Sequence, residues 1–174
     1  ARLGVPIAAH KNTSARLPAE VTVTRFIEDQ ELIELPGGPL GRPRRLRAHL
    51  TEGHADGHLV FQEEVTGMVI CGDMVAGVGT ILIDPPEGCM ATYLASLERL
   101  RGLNATFLIP SHGPPLGNPK ALITHYITHR LGREAKILGA LGRDPRTVDE
   151  LLPLAYDDKP PQVYPLARRA ALAH

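Results

Sequence analysis

Three polar side chains stand at the ends of apolar runs: His54 in TEGHADGH, Asp73 in ICGD and His112 in IPSHG. Imidazole, carboxylate and imidazole are donors that Zn²⁺ and similar divalent ions accept, and an aspartate between two histidine-bearing turns can bridge two ions. A water shared by two such ions falls from a pKa of about 15.7 toward neutrality and becomes a nucleophile. Taken singly, each residue is an ordinary hydrogen-bonded turn residue; the chemistry lies in the set. A second pair, His125 and His129, has the i, i+4 spacing of one helix face. It lacks the glutamate of HExxH and a third ligand, so the pair reads as solvated or structural, or else as His129 with its neighbour Arg130 facing a substrate. Ser111 precedes His112 without a GxSxG elbow, which argues against a serine hydrolase.

Strands must deliver these turns. Residues 5–9 read as a buried strand, and residues 28–35 as a half-exposed strand closed by Pro36, Gly37, Gly38 and Pro39. The basic run Arg42 to Arg47 then forms a solvated loop or an anion contact and leads into a strand over residues 46–50. Strands at 58–63 and 68–71 flank a hairpin turn at Val65, Thr66 and Gly67. The glycines after Asp73 match no phosphate-cradling pattern. Over residues 89–103, Met90, Tyr93, Leu94, Leu97 and Leu100 recur on one helix face, and the strand at 106–109 then feeds His112. This order predicts an α/β domain with helices layered on a sheet. Asn118 and Pro119 start a helix, with Asn118 as side-chain cap, that runs to Leu141 with Ile123, Tyr126, Ile137 and Leu138 inside. Thr147 to Glu150 matches a capping box, and a last helical piece covers 164–174.

The chain has 174 residues, enough for one domain with a buried core, here divided as 1–142 with a tail at 143–174. Its 19 basic and 19 acidic residues balance, so no global attraction to nucleic acid or membrane follows. No apolar run approaches the roughly 20 residues that span a bilayer, and the first residues lack a signal-peptide layout. The expectation is a soluble, cytoplasmic protein. Cys71 and Cys89 have no CxxC spacing and read as buried small hydrophobes. Without Trp, no base-stacking surface is evident.

In this order, the three turns resemble the later metal-ligand motifs of the metallo-β-lactamase superfamily, over residues 5–117. The sequence is most similar to the branch containing the β-lactamase-like protein 2 hydrolases, on the loop after Asp73, YITHRLGRE at 126–134 and the helical tail. The resemblance implies the C-terminal part of an αββα sandwich, followed by a truncated winged-helix-like tail over the active-site mouth. It makes His54 and His112 ligands of two Zn²⁺ ions, Asp73 the bridge between them, and His58 an orienting group. The family's HxHxDH motif is absent and would lie just before Ala1, so the chain reads as a C-terminal portion with one histidine and a shared carboxylate per ion. In the complete protein a hydroxide held by both ions would attack a small-molecule ester or thioester, or the phosphodiester of single-stranded RNA. These residues alone are expected to be inactive, to bind metal weakly, and to associate through an uncovered sheet face. The alternatives are a glyoxalase-like thioester hydrolase and a non-catalytic module that contacts RNA through the 42–47 run and the tail.

Overall fold

Short apolar runs bordered by turn residues become strands. The computed structural model describes residues 4–38, 41, 43–142 and 145–174. It begins with a two-stranded parallel ribbon, β1 (Ala8–Ala9) beside β2 (Arg25–Phe26), with the short helix α1 (Lys11–Ser14) between them in sequence. A five-stranded sheet follows, hydrogen-bonded in the order β3 (Leu32–Leu35), β4 (Arg44–Leu50), β5 (Leu59–Glu63), β6 (Val69–Gly72) and β7 (Leu108–Pro110). Strands β3 to β6 form an antiparallel meander, whereas β7 lies parallel to β6. A parallel neighbour requires a crossover, and α2 (Met90–Gly102) provides it.

The spacing of Met90, Tyr93, Leu97 and Leu100 puts all four on one side of α2. There they are at most 2% exposed and share a core with Val60, Val69, Cys71 and Leu108 of the sheet. Burying each such side chain stabilises the fold by roughly 1.5–3 kcal/mol. Helix α3 (Pro119–Leu141) adds Ile123 and Ile127 to the same core. Its C-terminal half carries a second cluster, in which Ile137 meets Leu152 and Ala155 of α4 (Val148–Ala155) and Ala167 of α5 (Tyr164–Ala171). A 3-10 turn at Pro161–Val163 joins these two helices. The capping box is present: Thr147 N–H donates to Glu150 Oε2 at 2.7 Å, and Glu150 N–H to Thr147 Oγ1 at 3.4 Å. No strand occurs in the tail's described residues, 145–174, so its likeness to a winged helix rests on helices alone.

Several expectations need correction. Of residues 5–9 only two form a strand, and Val5 is 56% exposed, because the ribbon pairs just two residues on each side. Cys89 is exposed at the N-cap of α2, while Cys71 is buried. Asn118 makes no side-chain cap; it sits at φ 50, a left-handed turn residue ahead of Pro119. Leu138 is 62% exposed, because the buried stripe of α3 passes through Ile137 and the next residue lies about 100° round the helix. The basic run is no loop: Arg44, Arg45 and Arg47 lie on β4, where Arg45 reaches Glu34 and Glu64 at 3.6 Å each and Arg47 pairs with Glu64. Pro39 and Arg42 fall outside the described residues, as do Arg143 and Asp144 beside the expected division at 142 and 143.

On the sheet face away from α2, Phe61, Ile70 and Ile109 stand in register across three strands. They are partly exposed, Ile70 at 38%. Among the described residues no helix is long and apolar enough to cross a membrane.

Candidate metal centre

Strand direction alone gathers the three turns. Because β6 and β7 are parallel, Asp73 and His112 follow strand ends at the same sheet edge. Strand β5 is antiparallel to β6 and β4 to β5, so the loop 51–58 between β4 and β5 lies at that edge too. Ligand sites of open α/β sheets form at such carboxyl ends. Ser111 N–H donates to the Gly72 carbonyl at 3.0 Å and ties the second turn to the third.

His54 Nδ1 lies 2.9 Å from the Leu82 carbonyl. A carbonyl only accepts, so Nδ1 carries the proton and Nε2 keeps its lone pair, the tautomer a metal ligand needs. That Nε2 is 3.7 Å from Asp73 Oδ2, and His112 Nε2 is 3.4 Å from Asp73 Oδ1. Two donors each about 2.0–2.1 Å from a tetrahedral ion stand about 3.3–3.4 Å apart, so the separation at His112 suits a shared cation and the one at His54 is slightly wider. Asp73 Oδ1 is buried and has no hydrogen-bond partner among the described residues. An unpaired buried carboxylate oxygen is destabilising, and a cation on either side would satisfy it. The donors are right in kind but short in number: two for each position with Asp73 counted twice. Among the described residues no three His, Cys, Asp or Glu side chains form a set that could hold a metal ion.

The sequence matches the family model of the metallo-beta-lactamase superfamily over residues 2–112, a span that contains all three donors. The chain belongs to the metallo-beta-lactamase superfamily. It is 38% identical over 96 residues to the thioesterase pkgB of Emericella nidulans, covering 55% of this chain and 27% of that protein. It is 30% identical over 96 residues to a beta-lactamase-like protein 2 homolog of Caenorhabditis elegans, covering 55% of this chain and 31% of that protein. The chain thus spans less than a third of these two relatives. A metallo-beta-lactamase family protein of Thermus thermophilus has the same fold, with a TM-score of 0.75 at 22% identity over 99% of this chain and 66% of that one. That coverage includes the helical tail.

In this metallo-beta-lactamase chain, His58 holds the second turn in place. Its Nε2 accepts from Asp73 N–H at 3.1 Å, so its Nδ1 carries the proton and donates to Thr51 Oγ1 at 2.9 Å. Both ring nitrogens are engaged. Burial, and then the neighbouring His54, push its pKa from 6.5 down to about 4 against the pull of Asp73. As pH falls below 6.5, the unfolded chain protonates this ring and the folded chain does not until about pH 4. Stability is therefore lost on acidification through that window, by about 2–3 kcal/mol. Urea melts at pH 7 and pH 4.5 are expected to show a smaller pH difference for His58→Gln than for the parent. Equal differences would remove His58 as the source.

The 51–58 loop is braced from α1. Thr13 Oγ1 donates to the Gly57 carbonyl at 3.0 Å, and Glu52 Oε1 accepts from Gly57 N–H at 2.8 Å and Asn12 Nδ2 at 3.0 Å. His10, isolated in sequence, is buried here: a Cβ on Gly57 would stand 3.0 Å from its Nδ1. The loop after Asp73 is held by two phenols. Tyr93 donates to the Met74 carbonyl at 2.7 Å, and Tyr126 accepts from Ala76 N–H at 3.0 Å. Local sequence marks neither Thr13 nor these two hydroxyls as supports, since each partner comes from a different element. His125 and His129 are both exposed on α3, with ring centroids 6.4 Å apart. Neither contacts Asp73; His129 and Arg130 instead line cavities between α3 and the tail.

Proposed function

We propose that the natural protein containing this chain is a metal-dependent hydrolase of thioesters or esters, to which these residues contribute His54, Asp73 and His112. One observation carries the reading: the buried, unpaired Asp73 Oδ1, in a carboxylate flanked by His54 Nε2 and His112 Nε2 at 3.7 and 3.4 Å. Zinc, or another divalent ion that takes imidazole and carboxylate donors, would supply Lewis acidity and a water acidified toward neutral pH. The Leu82 carbonyl sets the tautomer of His54, His58 fixes the backbone of Asp73, and Asp73 serves both positions. The His112 side chain, 67% exposed against 28% for His54, stands on the open side from which a substrate arrives. A complete shell needs donors beyond these three, of the kind an HxHxDH segment would supply, so on these three alone metal binds weakly and turnover is not expected.

The thioesterase among the relatives supports an acyl substrate. Arg45 and Arg47 are matched by Glu34 and Glu64, which leaves less charge for the RNA-binding alternative. Two free cysteines accord with a reducing, cytoplasmic compartment. Dialysis of the natural protein against a zinc chelator is expected to abolish hydrolysis of a short acyl thioester, and Zn²⁺ to restore it. Undiminished turnover by metal-free protein would sink the reading. Faster cleavage of single-stranded RNA than of the thioester would overturn the substrate class.

A further inference from the structure

Two arginines of α3, Arg130 and Arg133, are each only 7% exposed, and their surroundings differ in one respect. Arg133 has a carboxylate: it meets Asp158 at 2.8 Å, donates to the Ala155 carbonyl and lies over the Tyr156 ring at 4.2 Å. Arg130 has none among the described residues. It donates to the Ile81 carbonyl and lies 5.5 Å from the Tyr93 ring centroid, and its Nε is buried without a partner. A buried guanidinium without a counter-charge is strongly destabilising unless something anionic reaches it.

Arg130 lines a cavity of about 200 Å³ between α3, the 80–82 segment and the tail. Ile81, Leu82, Val163, Leu166, Ala167 and Ala170 give the rest of the wall its mostly apolar surface, with His129, Tyr156 and His174 among its polar edges. Arg133 and Lys159 also border it and share Asp158, at 2.8 and 3.3 Å, which leaves Arg130 as the lining arginine without a carboxylate among the described residues. An apolar enclosure with one uncompensated guanidinium selects a ligand with one anionic group on a small apolar body. A planar carboxylate matches the guanidinium fork. Bare phosphate would leave the apolar walls wet, and a polynucleotide does not fit in a cavity of this size.

We infer that the cavity between α3 and the tail binds a medium-chain carboxylic acid, with its carboxylate against Arg130 and its apolar body along α5. Leu82 connects this cavity to the metal centre: its side lines the cavity and its carbonyl orients His54. The link to catalysis, in which the acid is the released product, rests on the hydrolase reading; the binding does not.

Calorimetric titration of the metal-free natural protein separates the two. Octanoate is expected to bind one per chain and at least about tenfold tighter than octanol, the difference of a charge-assisted contact. Arg130→Gln is expected to remove that preference. Ala170→Phe, at a half-buried wall position, is expected to fill the cavity and abolish binding while the thermal melt stays cooperative. Equal binding of octanoate and octanol overturns the proposal, as does inorganic phosphate binding as tightly as octanoate, or no octanoate binding at all. The comparison between octanoate and octanol uses the unaltered chain, so it decides the matter even where a variant fails to fold. Octanoate binding in a protein that hydrolyses no thioester would leave this site standing and remove only the catalytic link.

Discussion

Asp73→Ala in the natural protein is expected to lower kcat/KM for thioester hydrolysis by about three orders of magnitude, equivalent to about 4 kcal/mol of transition-state stabilisation. It is also expected to strip both ions together. Among the described residues Asp73 is the single carboxylate within 3.7 Å of both imidazoles, so its loss affects two coordination shells where the loss of His54 or His112 affects one. Asp73→Asn retains size and one oxygen but not charge, and is expected to fall between the two. Stability should move the other way. Without metal, Asp73 Oδ1 is an unpaired buried acceptor, so removing it relieves a penalty, and the metal-free variant is expected to melt no lower than its metal-free parent. Metal content by mass spectrometry, turnover and thermal melts read the three effects separately. Unchanged metal content and rate in Asp73→Ala would end the assignment of these donors.

Gly53→Ala has the largest expected structural effect. Gly53 has φ +116, and a Cβ there would lie 2.2 Å from Tyr93 N and 2.4 Å from Tyr93 Cα, both backbone atoms of α2. Neither can yield without moving the helix whose Tyr93, Leu97 and Leu100 are fully buried. Backbone strain and displacement together are expected to cost about 3–5 kcal/mol, enough to unfold a marginal domain. The contact has a local purpose: it brings the Gly53 carbonyl within 2.9 Å of Cys89 N–H at the start of α2, and so anchors the residue before His54. Gly117→Ala is the control, with open space at its Cβ and no positive φ; it should stay within about 0.5 kcal/mol of the parent. Similar urea midpoints for the two variants would refute the close approach.

Much of the fold was legible wherever a short-range signal and its physical cause coincide. The α2 stripe follows from 3.6-residue periodicity, the end of α3 at Leu141 from the Gly142 that follows, and the start of α4 from the capping box at Thr147. The misreadings fell where the deciding contact is remote. Leu138 is apolar but lies off the stripe that the tail covers, and Asn118 turns the chain with its backbone instead of capping with its side chain. The basic run became part of a strand, with Glu34 of the neighbouring strand β3 and Glu64 just past the end of β5 alongside it.

The sequence by itself placed the three candidate residues in order: His54, Asp73 and His112 each follow an apolar run that must become a strand, and turn residues hold them at its end. It also showed that the set is short, since no HxHxDH occurs in these residues. Tertiary structure alone decided which nitrogen of His54 is free, because the Leu82 carbonyl that takes its proton lies 28 residues away. It likewise made His58 a support of Asp73, through a bond spanning 15 residues. It buried Arg130 without a counter-charge among the described residues, because the 80–82 segment and α5 close over one face of α3. Burial and hydrogen-bond pairing are properties of neighbours in space, and local sequence signals reach only neighbours along the chain.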